Sequence, residues 1–472
     1  MNKLRIRLNR LELTALVAGF ALMVFELAGA RILAPGIGSS TYVWTSVIGV
    51  IIAALSLGYW IGGRVADSRG YMIDVARLVL LAGLTVTLTL LQYEGAIEWV
   101  ASSFDDPRWQ GVVASLLLFA PTSFVLGMVS PYLAKLNVRS LHTTGRSIAS
   151  LSALNSIGGI VGTFMAGFVL FGYIGSRETL VIIVLLLVAV SWLAVPRVNW
   201  RARALISAAV VITVLVPVPK AHAVSIDTPS ARYTIYDTAT MRLLTTGPYA
   251  AQSGVSLGQP DQLAFWYTQQ LAQVVKQAER RQNILILGGG AFTLPRYLGQ
   301  KYPSSKIDVV EIDPELAKIA RQYFHYDDPA NVNLLFEDAR TYVNRTDKQY
   351  DIVIVDVYGD AHVPFTLLTD EYGQQIARIT KRDGVVAANM IAGLEGECNT
   401  LLRALDAPYR SQFPYAAYRI EKPEQPRSNM VVAYSRQQFG WAGASPLELP
   451  KTVPYTDNFA PAERLQHDCR RQ

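Results

Sequence analysis

Long apolar runs fill the first half of the chain, and shorter ones punctuate the second. Seven stretches, at 11–33, 42–63, 75–93, 111–134, 148–172, 179–196 and 203–219, approach the length needed to cross about 30 Å of hydrocarbon. They predict membrane-spanning helices. The last run is the shortest and ends at Pro217 and Pro219. Gly58 and Gly62 stand four residues apart, as do Gly158 and Gly162, a spacing that lets helix backbones approach closely. Packing rather than transport accounts for these glycines. After Lys220 the pattern changes. Tyr233–Tyr236 and Arg242–Leu244 predict short strands, followed by a helix over 261–280. From Asn283 onward, apolar strands at 283–287, 307–311, 332–336, 351–355 and 384–388 alternate with helices beginning near Phe292, Pro314, Ala339 and Asp370. That alternation predicts a parallel α/β sheet, with further strand candidates at 415–420 and 428–434.

The expected architecture is an α-helical multi-pass membrane domain over 1–222 with about seven helices, a small β-rich region and linking helix over 223–280, and a Rossmann-like α/β domain over 281–472. Composition agrees. Of 472 residues, 51% are hydrophobic and 17% charged, against about a quarter charged in soluble domains. The net charge of +6 is uneven: residues 1–220 hold 17 Lys/Arg against 9 Asp/Glu, and the remainder 26 against 28. A basic excess confined to the apolar half reads as membrane orientation and not as nucleic-acid binding. Two cysteines, Cys398 and Cys469, exclude a disulfide scaffold and a four-cysteine zinc site, and are expected to stay unpaired. Five histidines without ligand-like spacing give no reason to expect a metal. The first apolar run is too long for a signal peptide and continues into others, so none is expected. Glu26 and Arg31 lie inside that run; intramembrane charge is costly, and an interhelical ion pair or snorkelling of Arg31 is the expected account.

The chemistry-bearing residues gather at strand ends. Asn283-Ile-Leu-Ile-Leu-Gly-Gly-Gly-Ala-Phe292 is a strand running through Gly288, Gly289 and Gly290 into a helix, a turn that lets backbone approach a ligand beneath a helix N-terminus. Glu311, in Val309-Val-Glu-Ile-Asp313, is placed to accept hydrogen bonds from ribose hydroxyls. Asp338, in Phe336-Glu-Asp-Ala339, ends the third strand, and Asp356 ends the fourth. All open onto one sheet edge, where such folds bind ligands. Asp356, followed by Tyr358 and Asp360, supplies carboxylates and a phenol able to hold an amine and take its proton. Asp360 also suits the capping of the next turn.

Taken together, Gly288-Gly-Gly290, Glu311-Ile-Asp313, Glu337-Asp-Ala339 and Asp356-Val-Tyr-Gly-Asp360 resemble the motif series of spermidine synthases, aminopropyltransferases built on the class I methyltransferase fold. The first half is similar to the membrane part of fused, transporter-like homologues of that family. It shares Glu26-Leu-Ala-Gly-Ala-Arg-Ile-Leu-Ala-Pro35, Thr41-Tyr-Val-Trp44, Gly62-Gly-Arg-Val-Ala-Asp67 and Gly127-Met-Val-Ser-Pro131, with Tyr455-Thr-Asp-Asn-Phe-Ala-Pro461 late in the chain. The resemblance implies a co-substrate, S-adenosylmethionine or its decarboxylated form, and no metal. Gly288–Gly290 would lie against its methionine-derived part, Glu311 would hold the ribose, and Asp338, with Ala339 beside it, the adenine amino group. Asp356 would orient and deprotonate the attacking amine, flanked by Tyr358 and Asp360. Two departures stand out. The family usually has Gly-Gly-Gly-Asp-Gly, where this chain has Ala291 and Phe292, and Thr234 stands where glutamine commonly follows the tyrosine. Both concern the amine side of the site.

Three functions follow as alternatives: aminopropyl transfer to a putrescine-like or other amine, methyl transfer to a lipid or membrane-associated substrate, and a transporter or sensor regulated by the nucleoside. Expected partners are the small-molecule acceptor and the lipid bilayer, with no nucleic acid and with room for a homodimer. Lys3, Arg5, Arg7 and Arg10 predict a cytoplasmic N-terminus in the cell membrane. Seven crossings would then leave the catalytic domain outside, away from a cytoplasmic nucleoside. Either residues 203–219 are a short interfacial or re-entrant segment, giving six crossings and a cytoplasmic domain, or the membrane half itself brings the nucleoside across. The short seventh run and the need for the nucleoside favour the cytoplasmic arrangement.

Overall fold

The computed structural model describes residues 8–38, 40–104, 106–138, 144–195, 200–215, 223–247, 251–357 and 364–470. They form two compact units. One comprises Met1–Ala221 with Ile226–Arg232, the other His222–Ser225 with Tyr233–Gln472.

The first unit is helical: α1 (Arg10–Ile37), α2 (Thr41–Ser68), α3 (Met72–Ser103), α4 (Pro107–Leu118), α5 (Ala120–Asn137), α6 (Thr144–Met165) with a π-helical extension (Ala166–Ile174), α7 (Ser176–Ala194) and α8 (Trp200–Leu215). Asn9 starts α1 with a reciprocal cap, its side chain accepting from the Glu12 amide at 2.9 Å while the Glu12 carboxylate accepts from the Asn9 amide at 2.8 Å; this satisfies two otherwise orphaned donors. The expected fourth span is not one straight helix. α4 and α5 meet at 53°, at a break beside Pro121, which lacks the N–H that would continue the ladder. Among the described residues, five helices are long and apolar enough to cross a membrane, and the bent pair makes six if counted as one span. The glycine pairs pack as expected. A Cβ on Gly158 would lie 1.9 Å from the Leu16 carbonyl oxygen, and one on Gly58 would lie 2.2 Å from that of Phe124, so α1 against α6 and α2 against α5 tolerate no side chain there. Arg31 donates to the carbonyls of Thr228 and Pro229 and lies over the Phe171 ring. Backbone acceptors thus take part in solvating this charge.

In the second unit, β1 (Ala223–Asp227), β2 (Arg232–Asp237), β3 (Met241–Thr245) and β4 (Ser253–Ser256) form a sheet in that order. α9 (Trp266–Gln277) leads into β5 (Asn283–Leu287), α10 (Thr293–Lys301), β6 (Lys306–Glu311), α11 (Pro314–Tyr323), β7 (Val332–Phe336), α12 (Ala339–Arg345) and β8 (Tyr350–Val355). Then come α13 (Asp370–Ile379), β9 (Thr380–Ala392), α14 (Gly396–Arg410), β10 (Tyr415–Ile420), β11 (Ser428–Ser435), β12 (Ser445–Pro446) and α15 (Ala462–Arg470). The main sheet runs β12-β10-β11-β9-β8-β5-β6-β7, parallel from β9 to β7 and antiparallel beyond. Every residue of β8 and all but the first of β5 are buried, as expected of central strands covered on both faces. The strand order reverses between β5 and β8, and the crevice outside their carboxyl ends is where such sheets take ligands.

The cysteines correct an expectation. Cys398 on α14 and Cys469 on α15 are joined by a disulfide, and both are buried. Their separation of 71 residues left no local pattern from which pairing could be read. The bond ties the C-terminal helix to the sheet layer beneath it.

Candidate active site

The reversal point is crowded. Gly288 has φ +94°, and a Cβ there would lie 2.0 Å from the Asp356 carbonyl oxygen, so the β5 turn and the end of β8 fit together only with glycine in this place. The Gly288 amide donates to the Val310 carbonyl and the Asp356 amide to that of Leu287, each at 2.9 Å, which locks three strand ends in register. Gly290, at φ +52°, approaches Ser253 of β4.

Glu311 is held by this turn. Its carboxylate accepts from the Gly289 amide at 2.8 Å and the Asp313 amide at 3.0 Å, and it is 6% exposed. Burial raises its pKa, against the lowering effect of these amide bonds. A carboxylate has roughly four acceptor positions, so ribose hydroxyls can still be received. Asp313 is fully buried, caps α11 through the Glu315 amide at 3.0 Å and meets the Tyr233 hydroxyl. Burial and the neighbouring carboxylates push the Tyr233 phenol up, so it serves as a neutral donor.

Asp338 is exposed and caps α12, accepting from the Thr341 amide at 2.8 Å. Ala339 starts α12 and is half-buried. The late motif braces this corner: Asp457 accepts from Arg340 at 2.8 Å and from the Thr369 hydroxyl at 2.6 Å, and the Asp370 amide donates to Tyr455.

At the amine side, Asp356 accepts from the Asn389 amide nitrogen at 3.0 Å and is hydrogen-bonded by Tyr267. Desolvation pushes its pKa up to about 6, against the lowering effect of both bonds. The Tyr267 hydroxyl also lies 3.2 Å from the Gln252 carbonyl. One buried acceptor in this cluster, Asn389 Oδ1, has no partner among the described residues. Buried polar atoms are normally paired, and a bare acceptor beside a carboxylate suits a cation with several N–H groups. Tyr358 and Asp360 lie outside the described residues.

Ala291 and Phe292, which replace Asp-Gly of the resembled motif, are both fully buried. Phe292 keeps a left-handed φ of 55°, and its ring packs 5.2 Å from that of Tyr326. An apolar floor therefore takes the place of the acid under the glycine turn. The sequence alone did not single out Tyr267, Asn389, Gln252 or Tyr233 as site residues. Tyr233 stood beside a recognised motif, whereas the other three reach the site only through the fold. Among the described residues, no group of three or more His, Cys, Asp and Glu side chains is arranged to hold a metal.

Residues 264–403 match the spermine/spermidine synthase domain. A polyamine aminopropyltransferase of Vibrio vulnificus is 29% identical over 155 residues, covering 32% of this chain and 50% of that one. An N-terminal histidine N-methyltransferase of Emericella nidulans is 38% identical over 125 residues, 25% of this chain and 21% of that one. A solved structure described as a probable spermidine synthase from Corynebacterium glutamicum is 25% identical with a TM-score of 0.41, covering 47% of this chain and 82% of that one. The chain thus spans half or less of the length of these two curated relatives. The C-terminal unit is an α/β sheet, parallel from β9 to β7, whose residues 264–403 carry the match to the spermine/spermidine synthase domain.

Proposed function

We propose that the chain is a membrane-embedded transferase that moves an aminopropyl group from decarboxylated S-adenosylmethionine to an amine. The observation that carries this reading is the cluster of Asp356 with Tyr267 and the bare acceptor of Asn389, beside a glycine turn and Glu311. The site contains what a nucleoside and a cationic amine require: a backbone cradle, a carboxylate for ribose, and acceptors for N–H. The bound nucleoside supplies a sulfonium as leaving group. Asn389 holds the amine, and Asp356 orients it. As the nitrogen forms its bond to carbon, Asp356 receives the proton and the carbon–sulfur electron pair stays on sulfur. Unit one anchors the chain in the cell membrane with a cytoplasmic N-terminus, in keeping with its apolar helices.

The N-methyltransferase similarity and the missing acid at Ala291 favour a second reading, methyl transfer from S-adenosylmethionine to an amine nitrogen. Purified full-length chain, given each nucleoside and a panel of amines, separates the two by mass spectrometry. Methylthioadenosine is the expected product. S-adenosylhomocysteine would establish methyl transfer, and nucleoside binding without turnover of any acceptor would leave a sensor or transporter.

A further inference from the structure

The geometry points to an extracytoplasmic position for the transferase unit, with the Cys398–Cys469 bond formed in that oxidising compartment. This rests on the membrane reading of unit one. Three independent observations carry it.

The first lies within the helical unit. α1 begins at Arg10, and Arg31 is 21 residues further along the same helix, about 30 Å away at 1.5 Å per residue. Arg31 donates to the carbonyls of Thr228 and Pro229, while the Ser176 amide and hydroxyl at the start of α7 donate to Asp227 at 3.3 and 3.2 Å. Residues 226–232 are therefore fixed at the bundle end opposite Arg10.

The second concerns α8. Near its start, Arg203 donates to the carbonyls of Ser191 and Val195 at the end of α7, and the Trp192 indole donates to Ser207 at 3.0 Å. The end of α7 lies at the Arg10 end, because its start lies beside Asp227. The chain thus enters α8 at one face and reaches Thr228 at the other, which is a crossing and not a re-entrant turn. Charge sets the direction. Arg10, Arg64, Arg69, Lys135, Arg146, Arg201 and Arg203 gather at the first end, where Lys135 pairs with Asp67 at 2.8 Å, and such loops remain cytoplasmic. The chain from Tyr233 onward is delivered to the other side.

The third is the disulfide between the chain's only two cysteines. Such bonds persist in oxidising compartments and are rare in a reducing cytoplasm. This placement departs from the six-crossing expectation, and it has a chemical corollary. A sulfonium nucleoside is permanently cationic and does not pass a bilayer unaided, so a translocation step must supply it to this site.

The test uses the full chain in a bacterial host with a thiol-oxidising periplasm. Alkaline phosphatase, active only after export, and green fluorescent protein, fluorescent only in the cytoplasm, are fused separately after Gln472. The untagged chain is trapped with a maleimide polymer under denaturing conditions, with and without reductant, and membranes are washed with carbonate. Expected are active phosphatase, a dark fluorescent fusion, and a gel shift that appears only after reduction. A fluorescent fusion with inactive phosphatase, or thiols that shift without reductant, overturns the proposal while leaving the membrane reading intact. Release of the chain by carbonate overturns the membrane reading, and this proposal with it.

Discussion

Glu311 and Asp356 stand at the same sheet edge, at the ends of β6 and β8 with β5 between them, yet their surroundings differ. Glu311 is clasped by backbone amides of the glycine turn and of Asp313. Among the described residues, the Asp356 carboxylate is hydrogen-bonded by the side chains of Asn389 and Tyr267. Fixed amides hold a carboxylate still, which suits a group that grips a ligand. Desolvation, against the lowering effect of its two side-chain hydrogen bonds, pushes the Asp356 pKa up to about 6, near where a general base works best. On the proposed function, these environments suit Glu311 to hold the nucleoside and Asp356 to accept the proton.

The sharpest break in that division is Asp356→Asn, which keeps shape and loses the proton acceptor. Turnover should fall by roughly two to four orders of magnitude, with nucleoside affinity unchanged by calorimetry. Near-normal turnover would return Asp356 to a structural role. Glu311→Ala should do the reverse. Charge-assisted hydrogen bonds are worth about 1.5–3 kcal/mol each, so nucleoside affinity should drop by roughly ten-fold or more, and an unchanged dissociation constant would remove Glu311 from the ribose.

The pH profile sharpens the contrast. Asp356 accepts a proton only when ionised, so kcat/KM should decline as pH falls through about 6. Asn389→Ala removes a donor that lowers this pKa, so the acid limb should move to higher pH while KM for the amine rises. A limb that stays in place would show that Asn389 does not act on Asp356. The smallest effect is expected for exposed Asp338→Ala: loss of the α12 cap, about 1 kcal/mol in stability by denaturant titration, with a weaker affinity loss than Glu311→Ala.

What could be read along the chain was what is local. The strands at 283–287, 332–336 and 415–420 recur with those bounds, because apolar runs between turn residues decide them. Gly288, Glu311 and Asp356 were legible because a strand end fixes where its last side chain goes. β9 runs from Thr380 to Ala392, well beyond the expected 384–388, since pairing with β11 extends it past its apolar centre. Tyr267 and Asn389 come to Asp356 from 89 and 33 residues away in sequence, by tertiary packing that no window contains. The same holds for the disulfide, and the α4–α5 bend depended on how Pro121 sits in a packed bundle.

Phe292 closes an evolutionary door. A non-glycine residue in the left-handed region costs about 1–2 kcal/mol, which burial of a phenylalanine ring, about 1.5–3 kcal/mol, offsets. Restoring an acid at Ala291 alone would strand a carboxylate in a fully buried position above that ring. Restoring glycine at Phe292 alone would relieve the backbone but empty the space beside Tyr326. Each single step towards the Asp-Gly pair is therefore a loss, and only the two together recreate a wet, acidic turn.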